Sequence, residues 1–119
     1  MIGVISQGMH LFSGQEHATT ELINHALIMG SLPVTGDLWE SYIGALGWTE
    51  NRGEKDSINL LQNEGSFDVH STINACKTIG KRCMQMAIIL RSGLKAEREE
   101  LSQDPAFEFI YKKLDLGDV

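Results

Sequence analysis

The sequence predicts an all-α, or mostly α, fold: a compact bundle of about five short helices around a central helix at residues 67–91, in a single helical domain spanning 1–119. Three observations carry that prediction. Apolar residues recur at spacings of three and four in several separate stretches, the period of one helix face. Capping residues and glycines stand where those stretches begin and end. One stretch sustains an apolar a/d pattern over three heptads, as central or shared helices do. The content of 42% hydrophobic and 22% charged residues is that of a folded chain, so wholesale disorder is not expected.

The first 12 residues are read as coil or a short strand. "GVIS" suits a strand, and Met9 and Leu11 alternate weakly with their neighbours, while Gly3, Gly8 and Gly14 argue against a long helix. Ser13 then stands three residues before Glu16, the capping-box spacing. Ala18, Leu22, Ala26 and Met29 share a face, and Gly30 follows as a stop, which predicts a helix over 14–29. After "SLPVTG", Thr35 or Asp37 caps a second predicted helix carrying Leu38, Trp39, Tyr42, Ile43 and Leu46 up to Gly47. A short third helix fits "EKDSINLLQN", stopped by Gly65.

The predicted central helix starts from a Ser66 or Asp68 cap and carries Val69, Ile73, Cys76, Gly80, Cys83, Ala87 and Leu90 as its stripe. Ile79, Met86 and Ile89 form a second apolar edge. Ser92–Gly93 marks a stop or kink, with "LKAEREELSQ" as a further amphipathic helix or a continuation. "DPAFEFIYKKL" combines Asp104 as N-cap, Pro105 at the first helical position and Lys112–Lys113 near the end, three agreeing signals for a last helix. The tail "DLGDV" is expected to fray.

Charge is distributed unevenly. The net charge is −6, and the first Lys or Arg is Arg52. An even spread of the basic residues would place about four before it. The acidic first half and the basic central helix are therefore expected to neutralise each other, within one molecule or between two.

The sharpest candidate for chemistry is His17, Glu21 and His25, which form a column on the first helix. Two residues at i, i+4 can share a metal. His17 and His25, however, lie about 12 Å apart along the axis. A mononuclear site would need a ligand from elsewhere, with His10 and His70 the candidates, and a polar helix flank is the competing reading. No cofactor is expected unless this column binds a metal ion. Cys76 and Cys83 sit two turns apart, about 10.5 Å, too far to bridge within a helix. As stripe positions they read as small apolar residues. Gly80 costs its helix about 1 kcal/mol relative to alanine. Together with Cys76, Cys83 and Ala87 it predicts a close helix crossing, inside the chain or with a second copy. Trp39 and Trp48 join that list as interface candidates, because an exposed tryptophan is a common binding anchor.

Lys77, Lys81, Arg91, Lys95 and Arg98 form a basic column. No aromatic residue is interleaved with it, and the protein is acidic, so nucleic acid is not the favoured partner. The start lacks a basic segment followed by an apolar run, and no apolar stretch approaches the roughly 20 residues of a membrane helix. The functional expectation is a small acidic regulatory, adaptor or inhibitor-type protein without catalytic activity, cytoplasmic, binding another protein or itself as a homodimer. The alternatives are a metal-binding helical-bundle enzyme using His17, Glu21 and His25, or a nucleic-acid-associated accessory protein.

Overall fold

The computed structural model describes residues 1–116 and is mostly α-helical. Its elements run β1 (Ile5–Gly8), α1 (Gln15–Ile28), a 3-10 turn at Trp39–Ser41, β2 (Ala45–Trp48), α2 (Ser57–Asn63), α3 (Phe67–Ala96), α4 (Arg98–Leu101), a second 3-10 turn at Pro105–Phe107 and α5 (Glu108–Leu116). The chain divides into two compact units, Met1–Met84 and Gln85–Val119. Among the described residues, no helix is long and apolar enough to cross a membrane.

In the first unit, β1 and β2 pair in parallel, Ile5 opposite Ala45 and Gly8 opposite Trp48. The chain returns from one strand to the other through α1, a βαβ arrangement, because parallel strands need a crossover. Upstream of β1, the Ile2 N–H donates to Leu32 O and the Val34 N–H to Ile2 O, at 3.0 and 2.9 Å. The expected second helix is absent. In its place stand the 3-10 turn and β2, so strand is not confined to the first 12 residues. The cause is side-chain size: Ala45 and Gly47 are buried and alternate with half-buried Leu46 and Trp48, a period of two. Gly44 adopts φ +146, and a Cβ there would lie 2.7 Å from Val4 O. A helical residue could not fill that position.

Helix α3 lies on this strand pair. Ala75 and Ile79 form a buried cluster with Ala45, with Cys76 and Cys83 packed against it. The anticipated ring of helices around α3 is thus replaced in this unit by helices on a small sheet. Contact is close because the strand side supplies glycines. A Cβ at Gly47 would be 3.1 Å from Thr72 Cγ2, and one at Gly3 would be 2.3 Å from Ile79 Cγ2. The Thr72 hydroxyl also donates to Leu46 O at 3.2 Å.

Helix α1 starts one residue later than expected and without a side-chain cap. Gly14, not Ser13, occupies the cap position. Its buried face is Gln15, Thr19 and Ala26, whereas Leu22 and Met29 are exposed. Polar residues face inward here because Ser6 holds them: its hydroxyl donates to Gln15 O at 2.9 Å and lies 2.9 Å from Thr19 Oγ1. Helix α2 buries Leu61 and ends at Asn63, with Glu64 at the cap and Gly65 at φ +82 just beyond, the stop its sequence predicts. Ser66 caps α3 by accepting from the Val69 N–H at 3.2 Å. Ser92–Gly93 does not end α3, which continues to Ala96.

The second unit comprises the distal part of α3 with α4, the Pro105–Phe107 turn and α5. Asp104 accepts from the Ala106 N–H at 2.9 Å, the expected cap, but the turn is 3-10 and α5 proper begins at Glu108. Buried Tyr111 donates its hydroxyl to Leu94 O at 3.0 Å. Arg98 lies 5.1 Å from the Tyr111 ring centre and forks onto Asp115 with two 2.8 Å bonds. That ion pair holds the Asp115 carboxyl below its ordinary range. Of the tail expected to fray, Asp115 and Leu116 belong to α5, and 117–119 lie outside the described residues.

Candidate functional site

An open groove of about 490 Å³ lies in the first unit at the carboxyl end of the two strands. That edge is where parallel sheets commonly place ligands. Five elements from four separate stretches of chain build it. The loop after β1 supplies Leu11 and Phe12, and the start of α1 supplies Gln15 and Glu16. The 3-10 turn gives Trp39 and Glu40, β2 gives Leu46 and Trp48, and the first turns of α3 give Phe67 and Asp68.

Each segment is anchored. The β1–α1 loop is held by Gln15 Nε2 donating to His10 O at 3.1 Å, and by the Asn51 N–H donating to Met9 O at 2.9 Å. His10 Nδ1 lies 2.8 Å from Asn51 Oδ1. The 3-10 turn is tied to α3 twice: buried Ser41 Oγ is 3.0 Å from Thr78 Oγ1, and Asp37 pairs with Arg82. This last pair is one place where the acidic first half meets the basic helix. Arg52, in the loop after β2, pairs separately with Glu64 at the end of α2 through two bonds of 2.9 and 2.6 Å that hold the Glu64 carboxyl below its usual range; this pair lies outside both the acidic first half and the basic helix.

On this fixed frame the aromatic walls stay open. Phe12 is 89% exposed, Trp39 74% and Phe67 74%. Phe12 also sits at φ +61, a conformation that costs a bulky L-residue roughly 1–2 kcal/mol. Trp48 Nε1 and Glu40 Oε2 are shielded from solvent and have no hydrogen-bond partner among the described residues. Buried polar atoms almost always find one. No Lys, Arg or His lines the groove among the described residues, whereas three carboxylates do.

The residues singled out by sequence fall in different places. Trp39 and Trp48 come together in the groove. Phe12, Phe67 and Glu40 were not anticipated, and only the left-handed backbone at Phe12 sets any of them apart locally. His17, Glu21 and His25 are exposed on α1, with His70 also exposed elsewhere. Among the described residues, no group of three or more His, Cys, Asp or Glu side chains converges as metal ligands. Cys76 and Cys83 are unbridged and partly buried against the core, and burial pushes the Cys76 thiol up. Gly80 and Ala87 are exposed, and a Cβ built on Gly80 meets nothing within 4 Å, so no close crossing occurs there among the described residues. The glycines that α3 packs against belong to other segments, Gly3 at Ile79 and Gly47 at Thr72 among them. Of the basic column, Lys77, Lys81, Arg91 and Lys95 lie on α3. Arg98 does not: Glu97 breaks the helix, and Arg98 belongs to α4, engaged by Asp115.

No protein-family model, curated protein or solved structure matches this chain.

Proposed function

We propose that this is a non-enzymatic regulatory or adaptor protein that binds another protein through the aromatic groove of its first unit. The observation that carries the reading is the exposure of Phe12, Trp39 and Phe67 around one anchored depression. Large aromatics left open on a fixed frame are the side chains that dominate binding hot spots. Their exposure costs hydrophobic stabilisation of about 25 cal/mol per Å² until a partner covers them. The cytoplasmic setting and homodimerisation through Cys76, Gly80, Cys83 and Ala87 belong to the same proposal. The first rests on sequence features alone, since Cys76 and Cys83 stand too far apart on one helix to bridge in any compartment. The openness of Gly80 and Ala87 leaves room for the second.

The test is selection of random dodecapeptides displayed on phage, run in parallel on the protein and on its Trp39→Ala/Phe67→Ala variant. Peptides enriched on the first and lost on the second support the reading. No enrichment, or enrichment indifferent to the substitutions, overturns it.

A further inference from the structure

Resting on that reading, we propose that the groove takes a lysine or arginine side chain from a peptide segment of the partner, with a peptide carbonyl alongside it. The charge layout selects a cation, since the groove holds Glu16, Glu40 and Asp68 with no basic residue among the described ones. The three are not equivalent. Glu16 and Asp68 stand in the first turns of α1 and α3, where the helix dipole offsets part of their charge. Glu40 belongs to a single 3-10 turn and has an oxygen that accepts no hydrogen bond among the described residues. It is the carboxylate that needs an outside donor.

The aromatic walls are compatible with the same ligand, because a cation is attracted to the faces of tryptophan and phenylalanine. The hydrogen-bond requirement then narrows the chemistry. A quaternary ammonium would satisfy the rings but has no N–H to give Glu40. A primary ammonium or a guanidinium has both charge and donors. Trp48 Nε1–H lacks an acceptor among the described residues, which an ammonium or guanidinium group cannot supply and a peptide carbonyl can. Glu40 Oε2 and Trp48 Nε1 are both shielded from solvent in the free chain, so binding includes a side-chain shift that uncovers them; the Glu40 carboxylate then accepts from the ligand cation, and the Trp48 indole donates to a ligand carbonyl. The aliphatic stem of lysine or arginine lies against Trp39 and Phe67. A volume of about 490 Å³ falls within the range of pockets that enclose compact ligands.

The experiment uses three blocked pentapeptides, Ala-Leu-X-Leu-Ala, with X as lysine, norleucine or trimethyl-lysine. Each is titrated into the full chain while the indole N–H signals of Trp39 and Trp48 are followed by NMR. The expected result is a saturable shift of the Trp48 indole with the lysine peptide, and binding at least tenfold weaker for the other two. Glu40→Gln should abolish the preference for lysine over norleucine. Equal binding of the three peptides overturns the inference while leaving the groove as a docking surface. Tighter binding of trimethyl-lysine overturns it in favour of an aromatic cage. No binding by any peptide, beside display-selected peptides that bind the groove without Lys or Arg, overturns it as well. Dissociation of a homodimer by Trp39→Ala would make the occupant a second copy of the chain.

Discussion

Two glycine-to-alanine substitutions should shift stability in opposite directions, and the contrast follows from what each new methyl would meet. At Gly3 the Cβ would stand 2.3 Å from Ile79 Cγ2 and 2.9 Å from Cys83 Sγ. Ile79 is buried, and its γ-methyl is fixed to a branched carbon on a helix, so it cannot swing aside as the end of a long side chain could. Relief requires α3 to move away from the strand pair. Overpacking of this kind costs about 1–3 kcal/mol. At Gly80 the Cβ would meet nothing within 4 Å, and helix propensity alone favours alanine by up to about 1 kcal/mol. Urea unfolding followed by tryptophan fluorescence reads the first unit, which holds both Trp39 and Trp48. Gly3→Ala should lower the midpoint and Gly80→Ala should raise it. An Ile79→Ala background removes the clashing methyl, so Gly3→Ala should cost less there than in the parent, a coupling that a double-mutant cycle measures. A neutral or stabilising Gly3→Ala would refute the packing argument. A destabilising Gly80→Ala, accompanied by loss of a dimer in light scattering, would place a close crossing between subunits instead.

Further expectations concern titration and reactivity. Because Arg98 depresses the folded-state value of Asp115, the unfolded chain binds more protons in acid. The pair's contribution is therefore present above the ordinary aspartate range and lost as pH falls through the depressed value. Asp115→Asn should flatten that acid limb in helicity measured by circular dichroism from pH 2 to 6, and an unchanged acid limb would count against the pair. Burial raises the Cys76 thiol, so iodoacetamide should label it at neutral pH well below the rate of a free cysteine. Mass spectrometry of the digested protein reads this, and rapid labelling would contradict its packing against the core. Replacing His25 with Ala should change stability by less than about 1 kcal/mol, as for an exposed helix flank, and metal analysis checks that no bound ion is lost.

Much of the helical structure was legible because its signals are local. The Ser66 cap, the glycine at 65 and the Asp104–Pro105 start each act within a turn of the helix they bound. The strands were not legible in the same way. "ISQG" and "ALGW" are four residues each, and they are made strands by pairing across forty residues of sequence. The helical spacing of Leu38, Tyr42 and Leu46 competed with a period-two alternation of small and large residues, and tertiary packing against α3 decided between them. Gly80 misled for a related reason. Small residues on a helix suggest that something approaches, but here the approaching backbone carries its own glycine at position 3 and passes over Ile79 and Cys83. The site was half visible. Trp39 and Trp48 invited attention as aromatics, whereas Phe12, Glu40 and Phe67 gain meaning only when four segments meet.

The central claim is that the open aromatic groove is where another protein docks, and site-specific photocrosslinking tests it most directly. A benzophenone amino acid replaces Phe67 in the groove or, as a control, Ile28 at the far end of α1, which is 82% exposed. Irradiation in the cells that make the protein, followed by mass spectrometry, identifies what each position touches. The account expects a discrete adduct with a different protein from position 67, absent from position 28 and suppressed when Trp39 is also replaced by alanine. No adduct at position 67, or the same adducts from both positions, would contradict it.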